Sequence, residues 1–312
     1  MTLLSRRDFL ARCAEMSAFA ALPQMLARAD DDGPMTGGTF AVSQTDIDLV
    51  GCDSYAKYLR DGNTRGFKAL EALDRAFEKV MREAKETRVT GDVPAVWHVY
   101  NMGYIVKTRQ SLFSIDLVHR RDAEFAHLLD FALITHNHGD HWRQGFYGAM
   151  NGAHKTVITN FLDNYGATHW GGAEDDKRCG YTRAAREFRI RDVSIRTSLV
   201  DHNKVLVDYV TAFEIRAGNF VLYHSGDCGN AAKLGTVSPS PDLWIVHPFC
   251  GMDVVEGAAA VKPKRVALSH LNELGHSKGR SRWTWAQGND AAARLEAVGT
   301  QAVVPCWGDR II

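Results

Sequence analysis

Three histidines and an aspartate fall within six residues, His136-Asn137-His138-Gly139-Asp140-His141. Imidazole and carboxylate are the donors that borderline divalent cations such as zinc take. With 13 histidines in 312 residues, this set at fixed offsets should arise by accident in roughly one chain in a thousand. Cations held in such a cluster acidify water and stabilise developing negative charge, so the site needs no Ser or Cys nucleophile.

The segment before the cluster must aim it. Residues 131–135 are a continuous apolar run of the kind that forms a fully buried strand. A strand end followed by a Gly-containing loop can turn alternate side chains onto one point. Short β-rich runs precede it at 95–100, 104–107 and 112–115, with a short helix expected at 122–129. Further strands are expected at 156–158, 193–199, 205–213, 220–223, 244–246, 265–268 and 301–304, and helical patches at 182–188 and 290–298. Upstream, Phe67, Leu70, Leu73, Phe77, Val80, Met81 and Ala84 mark one face of an amphipathic helix over 67–85. Mixed strands with intervening helices predict a layered α/β protein with its sheets in the middle.

The loop resembles the His-x-His-x-Asp-His signature of the metallo-β-lactamase fold superfamily, and the resemblance extends from about residue 95 to the C-terminus. Phe113-Ser114-Ile115-Asp116 resembles that family's strand ending in a supporting aspartate. Downstream, Val200-Asp201-His202, Tyr223-His224-Ser225-Gly226-Asp227 and Leu268-Ser269-His270 match the order and strand contexts of its remaining histidine, aspartate and last histidine. The resemblance implies a four-layer αββα sandwich. It also implies two divalent metal ions, zinc foremost, with manganese or iron as alternatives. His136, His138 and His202 would hold the first; Asp140, His141 and His270 the second; Asp227 would bridge them.

In such a site a metal-bridging hydroxide would attack an ester, lactone, amide or phosphodiester, with Asp140 as the catalytic carboxylate. His154 and His169 rival His202, but neither leads into the strand pair ending at Gly226-Asp227. His247 and His276 are candidates for contact with ligands or substrate, Asp116 for support, and Cys228 for packing. Trp283 and Trp285 are read as core. The other classes open to the same scaffold are a mononuclear iron oxidoreductase of dioxygenase type and a metal-binding protein without catalysis.

At the N-terminus, Ser5-Arg6-Arg7-Asp8-Phe9-Leu10 resembles the bacterial twin-arginine export signal. A mildly apolar stretch over 16–26 and the small-residue site Ala27-Arg28-Ala29 follow. This divides the chain into a signal peptide (1–29), a linker with the amphipathic helix (30–92) and a catalytic domain (93–312), and implies a periplasmic or secreted protein. An amphipathic N-terminal helix of an unexported protein is the alternative.

The formal net charge is zero, and removing residues 1–29 takes four arginines and two acidic residues with it, leaving −2. A near-neutral chain has no overall field to gather polyanions, so a small-molecule substrate is expected and nucleic acid is not. No apolar run is long enough for a stable membrane span. The oligomeric state is left open. Six cysteines without a Cys-x-x-Cys pair indicate neither a zinc ribbon nor a disulfide framework.

Overall fold

The computed structural model describes residues 42–161, 179–181 (backbone only), 185–203, 205–235 and 240–312. The segments 1–29 and 30–41, expected to be signal and linker, lie outside the described residues, as does His169. Three helices come first: α1 (Gln44–Asp48), α2 (Cys52–Asp61) and α3 (Lys68–Glu86). The linker reading stops at Ser43, which caps α1 by accepting from the Asp46 N–H while Asp46 reaches back to the Ser43 N–H. Next are β1 (Ala95–Tyr100), β2 (Gly103–Lys107), β3 (Leu112–Ile115), α4 (Ala123–Ala126), β4 (Phe131–Leu133), α5 (Gln144–Gly152), β5 (Thr156–Thr159) and β6 (Cys179–Tyr181). These six strands make one sheet in sequence order, antiparallel from β1 to β3 and parallel from β3 to β6.

The second half has the same plan. Strands β7 (Glu187–Ile190), β8 (Val193–His202), β9 (Leu206–Ala217), β10 (Phe220–His224), β11 (Leu243–Val246), β12 (Arg265–Leu268) and β13 (Gln301–Val303) make the other sheet. It is antiparallel from β7 to β10 and parallel from β10 to β13. Helices α6 (Val254–Val261) and α7 (Trp285–Glu296) lie in the crossovers, as parallel pairing requires.

Burial divides these elements into four layers. Between the sheets, Val96, Tyr104, Phe113, Ile115, Phe131 and Leu133 of one pack with Ile195, Phe213, Ile215, Leu222 and Ile245 of the other. On the outer face of the first sheet, α3 buries Leu70, Leu73, Phe77 and Val80. Burying one such side chain contributes about 1.5–3 kcal/mol, so this face holds the helix far more strongly than its exposed charge pairs do. Helices α6 and α7 cover the second sheet. The C-terminal residues run beside β1, where the Ile311 N–H donates to Val96 O, and close the inner core with Ile311 and Ile312.

Two local expectations are corrected. In the helical patch expected at 182–188, residues 187 and 188 belong to β7, paired antiparallel to β8 with Glu187 opposite Arg196. Arg191 at φ +52° makes the turn between them, so hairpin pairing overrides local helix preference. The helix expected at 290–298 starts five residues earlier, because Thr284 and Gln287 form a capping box ahead of Trp285. Helices α1, α2, α5 and α6 were not anticipated. No helix among the described residues is long and apolar enough to cross a membrane.

Candidate metal centre

The parallel strands β3 and β4 end side by side, and the site begins there. Asp116 follows β3 and receives the Thr135 N–H on Oδ1 and the Thr135 hydroxyl on Oδ2, both at 2.7 Å. This locks the chain where it leaves β4. The loop then turns tightly, with the N–H groups of His141 and Trp142 both donating to His138 O. His136 and His141 are buried, while His138 and Asp140 are partly open.

The second sheet supplies the rest. His202 ends β8 after a bulge beyond Val200. Asp227 follows β10 through Gly226, whose φ is +54° and whose added Cβ would lie 2.7 Å from Val210 Cγ1 and 3.0 Å from Thr135 Cβ. Only glycine lets the two strand ends come this close. His270 follows β12, and its N–H donates to Asn101 O.

All seven predicted ligands therefore meet, and Asp227 Oδ2 is their centre. It lies 3.3 Å from His141 Nε2, 3.5 Å from His202 Nε2, 3.5 Å from His270 Nε2 and 4.0 Å from His136 Nε2. Asp140 Oδ2 is 3.0 Å from His270 Nε2 and 3.4 Å from His141 Nε2, and His136 Nε2 is 3.1 Å from His138 Nδ1. His136, His138 and His202 form one group able to hold a cation, and Asp140, His141 and His270 another, each with its donor atoms within 4.8 Å of one another. His141 Nε2 and Asp227 Oδ1 are buried without a hydrogen-bond partner. Orphaned lone pairs of this kind are costly unless something positive meets them, and nitrogen and carboxylate donors suit a borderline divalent cation.

The charges agree. Burial by itself would raise the Asp227 carboxyl, but the neighbouring His141 and His270 outweigh it and hold the group well below the usual range. Asp140 is likewise held down, against its burial, by His141 and His270. Burial and the nearby His141 keep His136 well below the normal imidazole value, so its lone pair is free. Burial would lower His141 too, yet Asp227, Asp140 and Asp116 overcome it and draw a proton to the ring. A cation competes for the same place.

The supporting candidates pack around the ligands, with Asp116, His247 and Cys228 buried, and His247 forms a further group able to hold a cation with Asp227 and His270. Asp116 Oδ2 is 2.8 Å from His141 Nδ1. The His247 ring stacks on His270 at 4.0 Å, with its Nδ1 accepting from the Phe249 N–H. His276 stacks on the same histidine at 5.5 Å and lies 3.3 Å from Glu273 Oε2. Cys228 is buried and donates to Asn230 O. Trp285 is core, whereas Trp283 is half-buried against Phe249. His154 lies two residues past α5 and is in neither of the two ligand groups above.

Three neighbours escaped the sequence reading. Asn101 donates from Nδ2 to the Asp140 carbonyl at 3.1 Å and to its Oδ2 at 3.3 Å. Tyr209 lays its ring 5.4 Å from His138 and donates its hydroxyl to Asn137. Cys250 lies in a group with His202 and Asp227. Asn101 had one signal, its place in the Asn-Met-Gly turn; the others had none. Cys52, Cys228, Cys250 and Cys306 are free thiols among the described residues.

No family model and no curated protein matches the sequence. Solved structures do resemble the fold. A metallo hydrolase from the archaeon Ignicoccus hospitalis is 13% identical, with a TM-score of 0.50 over 70% of this chain and 97% of its own. The metallo-β-lactamase fold protein YhfI of Bacillus subtilis is 14% identical, with a TM-score of 0.51 over 70% of this chain and 98% of its own. The diiron β-hydroxylase CmlA of Streptomyces venezuelae is 14% identical, with a TM-score of 0.52 over 85% of this chain but only 59% of the hydroxylase. At such identities the likeness carries the architecture and not the activity. With its two mixed sheets back to back between helices, the chain has the αββα fold of the metallo-β-lactamases.

Proposed function

We propose that the protein is a two-cation hydrolase of small molecules, acting on an ester, lactone, amide or phosphodiester. One observation carries this reading: Asp227 Oδ2 lies within 4.0 Å of four imidazole nitrogens contributed by both sheets. His136, His138 and His202 would hold one cation, Asp140, His141 and His270 the other, and Asp227 both. Two divalent cations, zinc foremost, would there acidify water and stabilise negative charge developing on the substrate.

The protein's own groups do the rest. Asp140 is ionised at rest, and its Oδ2 is fixed by Asn101 and His270. Its Oδ1 is left to take a proton from water and return it to the leaving group. The half-buried Tyr209 ring lies against His138, and Phe249, packed on Trp283, adjoins His247; in this reading both exclude water around a bound substrate.

The test is metal content of the mature protein, followed by chromogenic lactam, lactone, thioester and phosphodiester substrates. A chain that binds no metal, or hydrolyses none of these with zinc bound, overturns the reading. The diiron β-hydroxylase on the same scaffold supports a second reading, an iron oxidoreductase. Oxygen uptake by the iron-loaded protein, absent with zinc, would establish it instead. We further propose that residues 1–29 direct export through the twin-arginine pathway. Because that route carries folded proteins, the cations would be loaded before export.

A further inference from the structure

The loop that follows β12 begins with His270 and takes a path that few side chains tolerate. His270 and Asn272 have φ of +62° and +53°, a left-handed region sparsely occupied outside glycine, although Asn and His enter it more readily than most. Such a backbone persists only when its surroundings over-determine it.

Arg282 supplies much of that restraint. It is only 6% exposed, and all three guanidinium nitrogens donate to main-chain carbonyls. Nε reaches Glu273 O at 3.0 Å and His276 O at 2.9 Å, and Nη2 reaches Leu274 O at 2.7 Å. Nη1 reaches Val50 O at 2.7 Å and Ile47 O at 3.3 Å. Three of these carbonyls belong to the His270 loop, and two to α1 and the turn after it. The same two segments meet again where Gln44 Nε2 donates to Asn272 Oδ1 at 3.0 Å, and where Lys278 pairs with Asp48 at 2.5 Å. Inside the loop, Glu273 Oε1 accepts from Tyr100 OH at 3.0 Å and from the Gly275 N–H at 2.8 Å. A buried guanidinium gives up much hydration. Its rigid planar fork, however, fixes several carbonyl directions at once, which an ammonium group cannot do.

We propose that Arg282 is the positioning residue for the His270 side of the metal centre. By gathering the carbonyls of residues 273, 274 and 276 and tying them to 47 and 50, it sets the loop from which His270 presents Nε2 to Asp140 and Asp227. The N-terminal segment 44–50, remote in sequence from every candidate ligand, thereby supports the second cation's site. The inference rests on the two-cation reading above.

The test compares the full chain with Arg282→Met and Arg282→Lys. It measures zinc retained against a graded chelator, and backbone amide exchange over 270–276 in the metal-free proteins. The expected result is two zinc ions in the parent chain. Arg282→Met should keep the first with unchanged affinity and bind the second about tenfold or more weakly, within the range for residues that orient ligands. Its 270–276 amides should exchange faster while the strands stay protected. Arg282→Lys should fall between, and millimolar guanidinium should return Arg282→Met toward the parent.

Equal weakening of both zinc ions, with protection lost everywhere, would mark a merely structural arginine and overturn the proposal. So would parent-like affinity and exchange in Arg282→Met. Should Arg282→Met fail to fold, Arg282→Lys decides by the same two readings. A parent chain that binds fewer than two zinc ions sinks the two-cation reading instead, and amide exchange in the metal-free variants still judges Arg282.

Discussion

Asp116 Oδ2 and His141 Nδ1 lie 2.8 Å apart, and both side chains are fully shielded from solvent. The contact sets which imidazole nitrogen carries the proton. With Nδ1–H pointed at the carboxylate, Nε2 faces Asp140 and Asp227 and offers its lone pair to a cation that displaces the second ring proton. The same carboxylate anchors Thr135 at the end of β4. One aspartate thus aligns both the loop and the ligand.

Asp116→Asn should therefore weaken the second cation's binding by about 10–100-fold with little loss of folding. Asparagine tolerates the φ of +45° found at this position, but its amide cannot accept every bond the carboxylate does. Chelator competition, read separately for the two cations, checks this. Unchanged affinity would show that Thr135 alone positions the loop.

Removing donors themselves should be harsher. His138→Ala and Asp140→Ala should each lower turnover by at least about 10²–10³-fold and leave near-ultraviolet circular dichroism unchanged, because both side chains sit on a partly exposed loop. Full activity in either variant would refute the assigned site.

Stability should depend on Asp309. Burial pushes its carboxyl up to about 6, although its Oδ2 accepts the Cys306 N–H at 2.9 Å. In the unfolded chain the group titrates near 4. The folded state thus keeps a proton that the unfolded state has already released, and this contribution is full below about pH 4 and lost as pH rises through about 6. Asp309→Asn should raise stability at pH 7.5 by about 1–2 kcal/mol and flatten the fall between pH 4.5 and 7.5. Urea denaturation at the two pH values measures both. A variant less stable at pH 7.5 would mean that the ionised form is welcome.

Export is tested by fusing residues 1–35 to a reporter. Arg6→Lys with Arg7→Lys should trap the fusion in the cytoplasm. Periplasmic reporter from that double variant would rule out the twin-arginine route.

Several features were legible because they are local. The 136–141 loop declared its donors by type and spacing, and the apolar run before it declared the strand. Strands β1, β3 and β12 have the bounds read from alternation and apolar runs. Helices α5 and α6 gave weak signals, since glycine and small residues dilute their apolar faces. Strand β7 was misread because pairing with β8 decides its state.

By itself the sequence determined the chemistry on offer: which side chains can bind a cation, in what order, and at the ends of which apolar strands. Only the tertiary structure decided that Asp227 stands among four imidazoles, that Asn101 reaches Asp140, and that Arg282 joins residues 47 and 50 to the His270 loop. The physical reason is range. Donor type and strand periodicity are written within a few residues, whereas convergence depends on two sheets packed face to face, whose contacts join positions more than a hundred residues apart.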